Sequence, residues 1–223
     1  MSKQFLAVLA AIIIAFVGIF MLTADNGKTD SKSSNGKSSG SSLSQNVQGK
    51  GTSGVTLVEY GDYQCPYCQQ YYPTVKLIRA EFGDQIKFQF RNFPLVNIHQ
   101  NAFAASRAAE AAALQGKFWE MHDALYETSN WQVWTAAKDP TSDFKQYAKQ
   151  LGLNASKFTS DFASSKVNDT INADTAEGTK LGITGTPTFF INGKKVEVTN
   201  NISDFQKEIK AAIANKAASA KQN

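Results

Sequence analysis

Cys65 and Cys68 are the only cysteines in the 223 residues, and they stand three positions apart in Cys65-Pro-Tyr-Cys68. Thiols at i and i+3 at the start of a helix are close enough to form a disulfide across one turn. Cys65 falls at the N-terminal cap, where free backbone N–H groups and the positive end of the helix dipole favour a thiolate. Pro66 suits the first helical position, because its missing N–H would have had no partner there. Cys68 lies one turn in and is expected to be shielded. Cys65 would then form mixed disulfides with another protein, and Cys68 would resolve them. The alternatives are a structural disulfide or half of a metal site. Zinc needs two further ligands, and the only histidines, His99 and His122, read as ordinary surface or packing residues. No metal and no cofactor is expected.

Such a pair must be held between a strand and a helix. Val55–Tyr60 is short, apolar and β-branched, and reads as a buried strand broken by Gly61-Asp62. Tyr72, Val75, Ile78 and Phe82 share one face of a helix predicted over Pro66–Phe82. Ile86–Phe90 alternates as a second strand, making a βαβ unit with parallel strands. From about His99 to Leu181 the period is helical, through Ala102–Leu114, Phe118/Met121/Leu125, Phe144–Leu151, Asn154–Phe162 and Val167–Leu181. The aromatic stretch Phe118, Trp119, Tyr126, Trp131 and Trp134 reads as helix packing or as the lining of a substrate groove. Thr188–Ile191 and Lys195–Val198 flank Asn192-Gly193, a strong hairpin signal. A last helix begins at Ser203-Asp-Phe-Gln206, a capping-box pattern, with Phe205, Ile209 and Ile213 on its apolar face.

The chain before residue 55 is of another kind. Residues 4–24 carry no charge, and Phe5–Leu22 is an almost unbroken apolar run of 18 residues, long enough for roughly 27 Å of helix. With Leu22 where a signal-peptide cut after Ala24 would want a small residue, residues 1–24 read as an uncleaved anchor rather than a removed signal. Lys3, the one charge before the run, favours an N-terminus in the cytoplasm. Residues 25–54 include fifteen Gly or Ser and no aromatic residue, and read as a disordered tether. The net charge of +4 divides into +3 before residue 55 (five Lys, two Asp) and +1 after it (18 basic, 17 acidic). A near-neutral folded part lacks the basic field that nucleic acid requires.

Tyr60-Gly-Asp-Tyr-Gln-Cys-Pro-Tyr-Cys68, with Gly185-Thr-Pro-Thr188 before the third strand, resembles the DsbA-like thiol–disulfide oxidoreductases. The resemblance implies an α/β thioredoxin fold over residues 55–217, with a helical insertion at about 97–182 and a tail at 218–223. It implies a redox-active Cys65–Cys68 disulfide, a cis bond before Pro187 packed against it, and support from Glu59, Pro66, Tyr67 and Thr186. Glu59 matches a buried acid that relays protons to Cys68; the other reading is a strand residue facing solvent. Family oxidases carry His where this chain has Tyr67, and tyrosine cannot supply an imidazolium charge to a neighbouring thiolate. The resemblance and the leader together imply a monomeric, membrane-tethered extracytoplasmic enzyme, secreted or periplasmic if the leader is cleaved. It would oxidise reduced exported proteins and be renewed by a membrane-bound re-oxidising partner. The rivals are a reductase or isomerase with the same site, with which Thr186 is compatible, and a non-catalytic binding or chaperone module.

Overall fold

The computed structural model describes residues 42–221. A five-stranded sheet is built from β1 (Val47–Gln48), β2 (Val55–Gly61), β3 (Ile86–Asn92), β4 (Thr188–Ile191) and β5 (Lys194–Val196), in the order β1-β3-β2-β4-β5. β2 and β3 are parallel, as the βαβ reading requires, and the other neighbours are antiparallel. The crossover between β2 and β3 is α1 (Pro66–Phe82). Its Val75, Ile78 and Phe82 pack with Val55, Leu57, Phe88 and Phe189 of the sheet and with Phe205 and Ile209 of the last helix. Asn192 and Gly193 both take positive φ (49° and 79°), as the tight two-residue turn between β4 and β5 demands.

Between β3 and β4 lie α2 (Ala102–Ala113), α3 (Phe118–Tyr126), α4 (Thr128–Ala136), α5 (Thr141–Gln150), α6 (Ala155–Phe162) and α7 (Ser165–Lys180). Alanines 105, 108, 109 and 112 allow the α2 backbone to approach its neighbours closely, and the aromatic residues of the later helices fill the space. Phe118, Tyr126 and Trp134 of the aromatic stretch are buried, with Phe144 and Phe158 beside them, and Trp119 and Trp131 are partly buried against the same cluster, so the stretch serves helix packing. The same cluster continues to Tyr63, Cys65, Cys68 and Tyr72. The helical insertion therefore packs directly against the redox loop.

Four expectations need correction. The domain begins before residue 55, because the chain from Ser42 onward is part of the fold. β1 pairs with β3, and Ser44 and Asn46 are buried. Ser44 N donates to Asp174 Oδ1 (2.9 Å) and Asn46 Nδ2 to Glu110 Oε1 (2.6 Å), so a segment poor in apolar residues is held by buried polar partners instead. Gly49 takes φ 94°, and a Cβ there would run into the Ile86 carbonyl oxygen. α4 is a helix that the sequence pattern does not announce; of its side chains only Trp134 is buried, which leaves no periodic apolar face to read. The final helix, α8 (Ile202–Ala220), is capped by Asn201, whose side chain accepts from Ser203 N, rather than by Ser203 itself. It also takes in residues 218–220, expected as tail. The anchor at 1–24 and the tether up to residue 41 lie outside the described residues. Among the described residues no helix is long and apolar enough to cross a membrane.

Candidate active site

Cys65 is the N-cap of α1, with extended backbone (φ −68°, ψ 123°) and Pro66 following at the first helical position. Both cysteines are thiols here and both are buried, Cys65 at 4% and Cys68 at 1% exposure. Their environments separate them. The Cys65 thiol is lowered to about 5, first by the hydrogen bond from Cys68, and further by the Thr186 side chain and the N–H groups of Cys68 and Tyr67; burial works in the opposite direction. Cys68 is pushed well above the ordinary thiol range, by burial first and then by the hydrogen bond to Cys65 and its negative charge. At neutral pH one sulfur is a thiolate and the other keeps its proton, the division of labour that thiol–disulfide exchange uses.

The residues singled out in the sequence converge on this pair. The Thr186–Pro187 bond is cis, and the Cys65 sulfur lies 3.4 Å from the Thr186 carbonyl oxygen, in position to donate to it while protonated. Tyr67, between the cysteines, is 65% exposed. Glu59 does not face solvent. It is 3% exposed, on the face of β2 that also carries Val55 and Leu57, between Phe90 and Phe189 of the adjoining strands. Burial raises its carboxyl to about 8, with Arg79 acting weakly the other way. A Cβ placed on Gly61 would lie 3.3 Å from Glu59 Oε1, so the carboxyl sits beneath the chain that leads to Cys65. Its negative charge is also among the causes that raise Cys68.

Residues beyond that set build the loop. Asp62, fully buried, accepts from Gln64 N on Oδ1 (2.7 Å) and from Leu95 N (2.8 Å) and His99 Nδ1 (2.7 Å) on Oδ2. Its backbone N–H donates to Cys68 Sγ (3.5 Å). Trp131 Nε1 donates to Tyr63 O (2.8 Å), and Asn101 N donates to Gln64 Oε1 (2.7 Å). Each of residues 62–64 is thus bonded from the helical insertion or the loop that leads into it. Asp62 stands inside the motif and two residues before its Gln64 partner, an Asx-turn spacing. His99, Asn101 and Trp131 carry no such signal, since only the folded topology brings them to the loop. The second histidine, His122, is packed among Tyr63, Phe90 and Trp119 and held to about 4 chiefly by burial, so it is a neutral core residue. Among the described residues no cluster of His, Cys, Asp or Glu is arranged to hold a metal ion.

Comparison with known proteins places this arrangement. A family model described as thioredoxin matches residues 41–211, which agrees with a domain that starts ahead of β1. A thioredoxin-like oxidoreductase from Silicibacter pomeroyi superposes with a TM-score of 0.63 at 28% identity, covering 74% of this chain and 90% of that one. BdbD from Bacillus subtilis in its oxidised form superposes at 0.63 with 23% identity, over 75% and 92%. Wolbachia pipientis alpha-DsbA1 does so at 0.65 with 20% identity, over 78% and 93%; these last two speak to the fold alone. In sequence, a Na(+)/H(+) antiporter NhaA 1 from Mycolicibacterium gilvum is 39% identical over 151 residues, 67% of this chain and 23% of that protein. This chain thus spans about a quarter of the length of such curated relatives, and most of the antiporter lies outside the match. With the family model covering most of the chain and the fold shared with DsbA-like oxidoreductases, the chain belongs to the thioredoxin family.

Proposed function

We propose that this protein is a membrane-tethered extracytoplasmic thiol–disulfide oxidoreductase that introduces disulfides into exported proteins through Cys65 and Cys68. The observation that carries the reading is the division between the two sulfurs, one held as a thiolate at about 5 and the other held as a buried thiol far above it. A disulfide whose reduction releases so stable a thiolate is readily given up to a substrate. In the oxidised enzyme a substrate thiolate attacks Cys65 Sγ, the Cys65–Cys68 bond breaks, and Cys68 leaves with the electron pair and takes a proton. Glu59, protonated up to about 8, is the acid suited to supply it. A second substrate thiolate then attacks the substrate sulfur of the mixed disulfide and frees Cys65 as a thiolate. Two electrons have passed from substrate to enzyme, and a membrane-bound partner removes them to restore the disulfide.

Residues 5–22 would hold the enzyme, as a monomer, at the outer face of the membrane, where reducing thiol pools are absent. Tyr67 and the loop residues Val96 and Ile98 are more than half exposed, and that loop is bonded to Asp62 through Leu95 and His99. Exposed apolar side chains on Tyr67 and on a loop bonded to the redox turn suit an unfolded polypeptide as substrate.

The deciding experiment is the reduction potential of the Cys65–Cys68 couple against a glutathione buffer, together with the Cys65 ionisation from the same sample. A potential well above that of thioredoxin supports the oxidase. A thioredoxin-like potential reverses the direction of electron flow and makes the protein a reductase or isomerase. Full biological function of Cys65→Ser would eliminate both and leave a binding module.

A further inference from the structure

The buried carboxylate of Asp62 has no part in the exchange chemistry, yet it stands at the centre of the redox loop. Its oxygens take three donors, and its own N–H points at the sulfur of Cys68. Cys65 N also donates to the Asp62 carbonyl (3.1 Å). Asp62 is therefore bonded through its carboxylate to a loop some 35 residues onward in the chain, and through its backbone to both halves of the redox pair. His99 is the one side-chain donor in the set. It is itself fixed, since its N–H donates to Leu95 O (2.9 Å) and its carbonyl accepts from Ala102 N (3.2 Å) at the start of α2.

We propose that Asp62 and His99 form a positioning pair that aims the Asp62 N–H at the Cys68 sulfur and so stabilises the charge that sulfur carries during exchange. The inference rests on the oxidoreductase reading above and adds to it the device that serves the buried partner. When the Cys65–Cys68 bond opens under attack at Cys65, the electron pair departs on Cys68 Sγ, a site 1% exposed and therefore beyond the help of solvent. A backbone N–H already in place is a pre-organised donor, and it costs nothing to align as the charge develops. In the reduced enzyme the same N–H leads a chain of donors, from Asp62 N to Cys68 Sγ and from the Cys68 thiol to the Cys65 thiolate. Successive hydrogen bonds polarise one another. The Asp62 backbone is held on one side by the Cys65 N–H on its carbonyl and on the other by the three donors on its carboxylate, and of those three only His99 can be removed by substitution without rebuilding the backbone.

The test uses the full-length protein and two variants. His99→Phe keeps a planar ring and loses the donor. His99→Asn places an amide N–H near the position of Nδ1. The quantity read is the second-order rate constant for reduction of the oxidised enzyme by glutathione, followed by quenching and alkylation, with the urea unfolding midpoint measured alongside. His99→Phe is expected to react about three- to tenfold more slowly, the effect of one misdirected hydrogen bond, with His99→Asn restored to within about twofold. If His99→Phe does not fold, Asp62→Asn provides the second variant and is expected to show the same slowing. Wild-type rates in a His99→Phe protein whose unfolding midpoint has dropped would make the pair merely structural and overturn the proposal. Equal slowing in His99→Phe and His99→Asn would overturn it too, since the donor would not be what matters. A wild-type protein whose cysteines form no glutathione-reducible disulfide would instead overturn the oxidoreductase reading and this inference with it.

Discussion

The sulfur of Cys65 lies 3.4 Å from the carbonyl oxygen of Thr186, and the hydroxyl of the same threonine is buried with no hydrogen-bond partner among the described residues. The Thr186 side chain is one of the groups that lower Cys65, so the unpaired hydroxyl is a donor available to the thiolate. Thr186→Val keeps the shape and removes that donor. Cys65 is then expected to ionise at higher pH in a thiolate absorbance titration, with a reduction potential that falls accordingly. If neither moves, the hydroxyl has no part in holding the charge.

Cys65 also makes the reduced enzyme respond to pH in a definite direction. Its folded value, about 5, lies below the ordinary 9.0. The stability it contributes is therefore fully present above 9, declines as the pH falls, and is gone once the pH has passed below 5. Reduced wild type should be more stable to urea than Cys65→Ser at pH 8, with the gap closing by pH 4. A gap that stays constant from pH 4 to 8 would mean that Cys65 is not preferentially ionised in the folded state.

Glu59 has the opposite sign. Its carboxyl is raised from 4.5 to about 8 by burial. What it contributes is present in full below 4.5 and lost as the pH rises through 8, because the unfolded chain ionises while the folded one holds its proton. The loss runs at roughly 1.4 kcal/mol per pH unit across that window. Glu59→Gln is the same size and cannot ionise. It should be more stable than wild type at pH 8, indistinguishable near pH 4, and slower in thiol–disulfide exchange for want of the proton. A variant that is less stable at pH 8 would show Glu59 to be charged and paired in the fold.

Much of the site is local in sequence and legible there. Strand, turn and helix occupy consecutive residues, so the cap at Cys65, the shielding of Cys68 and the parallel β2–β3 pair all follow from spacing. Glu59 admits two readings from sequence, and its place on the same face of β2 as Val55 and Leu57 decides for burial. The features that sequence hides depend on distant partners. Ser44 bonds to a residue 130 positions away, and Asp62 to one 37 positions away. A Gly/Ser-rich segment has no apolar face to betray that it is folded. The Asn46 and Asn92 side-chain amides and the backbone N–H of Ser44 donate to Glu110 and Asp174, and Arg91 pairs with Asp174, a kind of core that hydrophobic periodicity does not register.

That polar core makes the true start of the domain measurable. A chain beginning at Val55 leaves Asp174 and Glu110 without the donors from Ser44 and Asn46, and removes β1 from the sheet edge. Stripping partners from buried carboxylates is costly, on the order of 3 kcal/mol. Chains beginning at Ser42 and at Val55 should differ by about that much in urea unfolding. Equal stability would mean that residues 42–54 merely rest on the fold.

Cys68 is the residue at which exchange and electrostatics can be separated. Its thiol is the largest of the influences that lower Cys65, and its sulfur resolves the mixed disulfide. Cys68→Ser removes the resolving sulfur and keeps a hydroxyl donor one turn into α1, whereas Cys68→Ala removes both. Offered a protein that already carries a disulfide, the Cys65 thiolate of each variant should attack it, expel one of its sulfurs as a thiolate and remain joined to the other in a mixed disulfide that a reductant releases. Only Cys68→Ala should also make Cys65 ionise at appreciably higher pH, and so trap more slowly near pH 6 while matching Cys68→Ser near pH 8. Equal trapping rates at both pH values would show that the helix N-terminus and Thr186 hold the thiolate without help from Cys68. Adducts on neither variant would mean that Cys65 does not meet substrate at all.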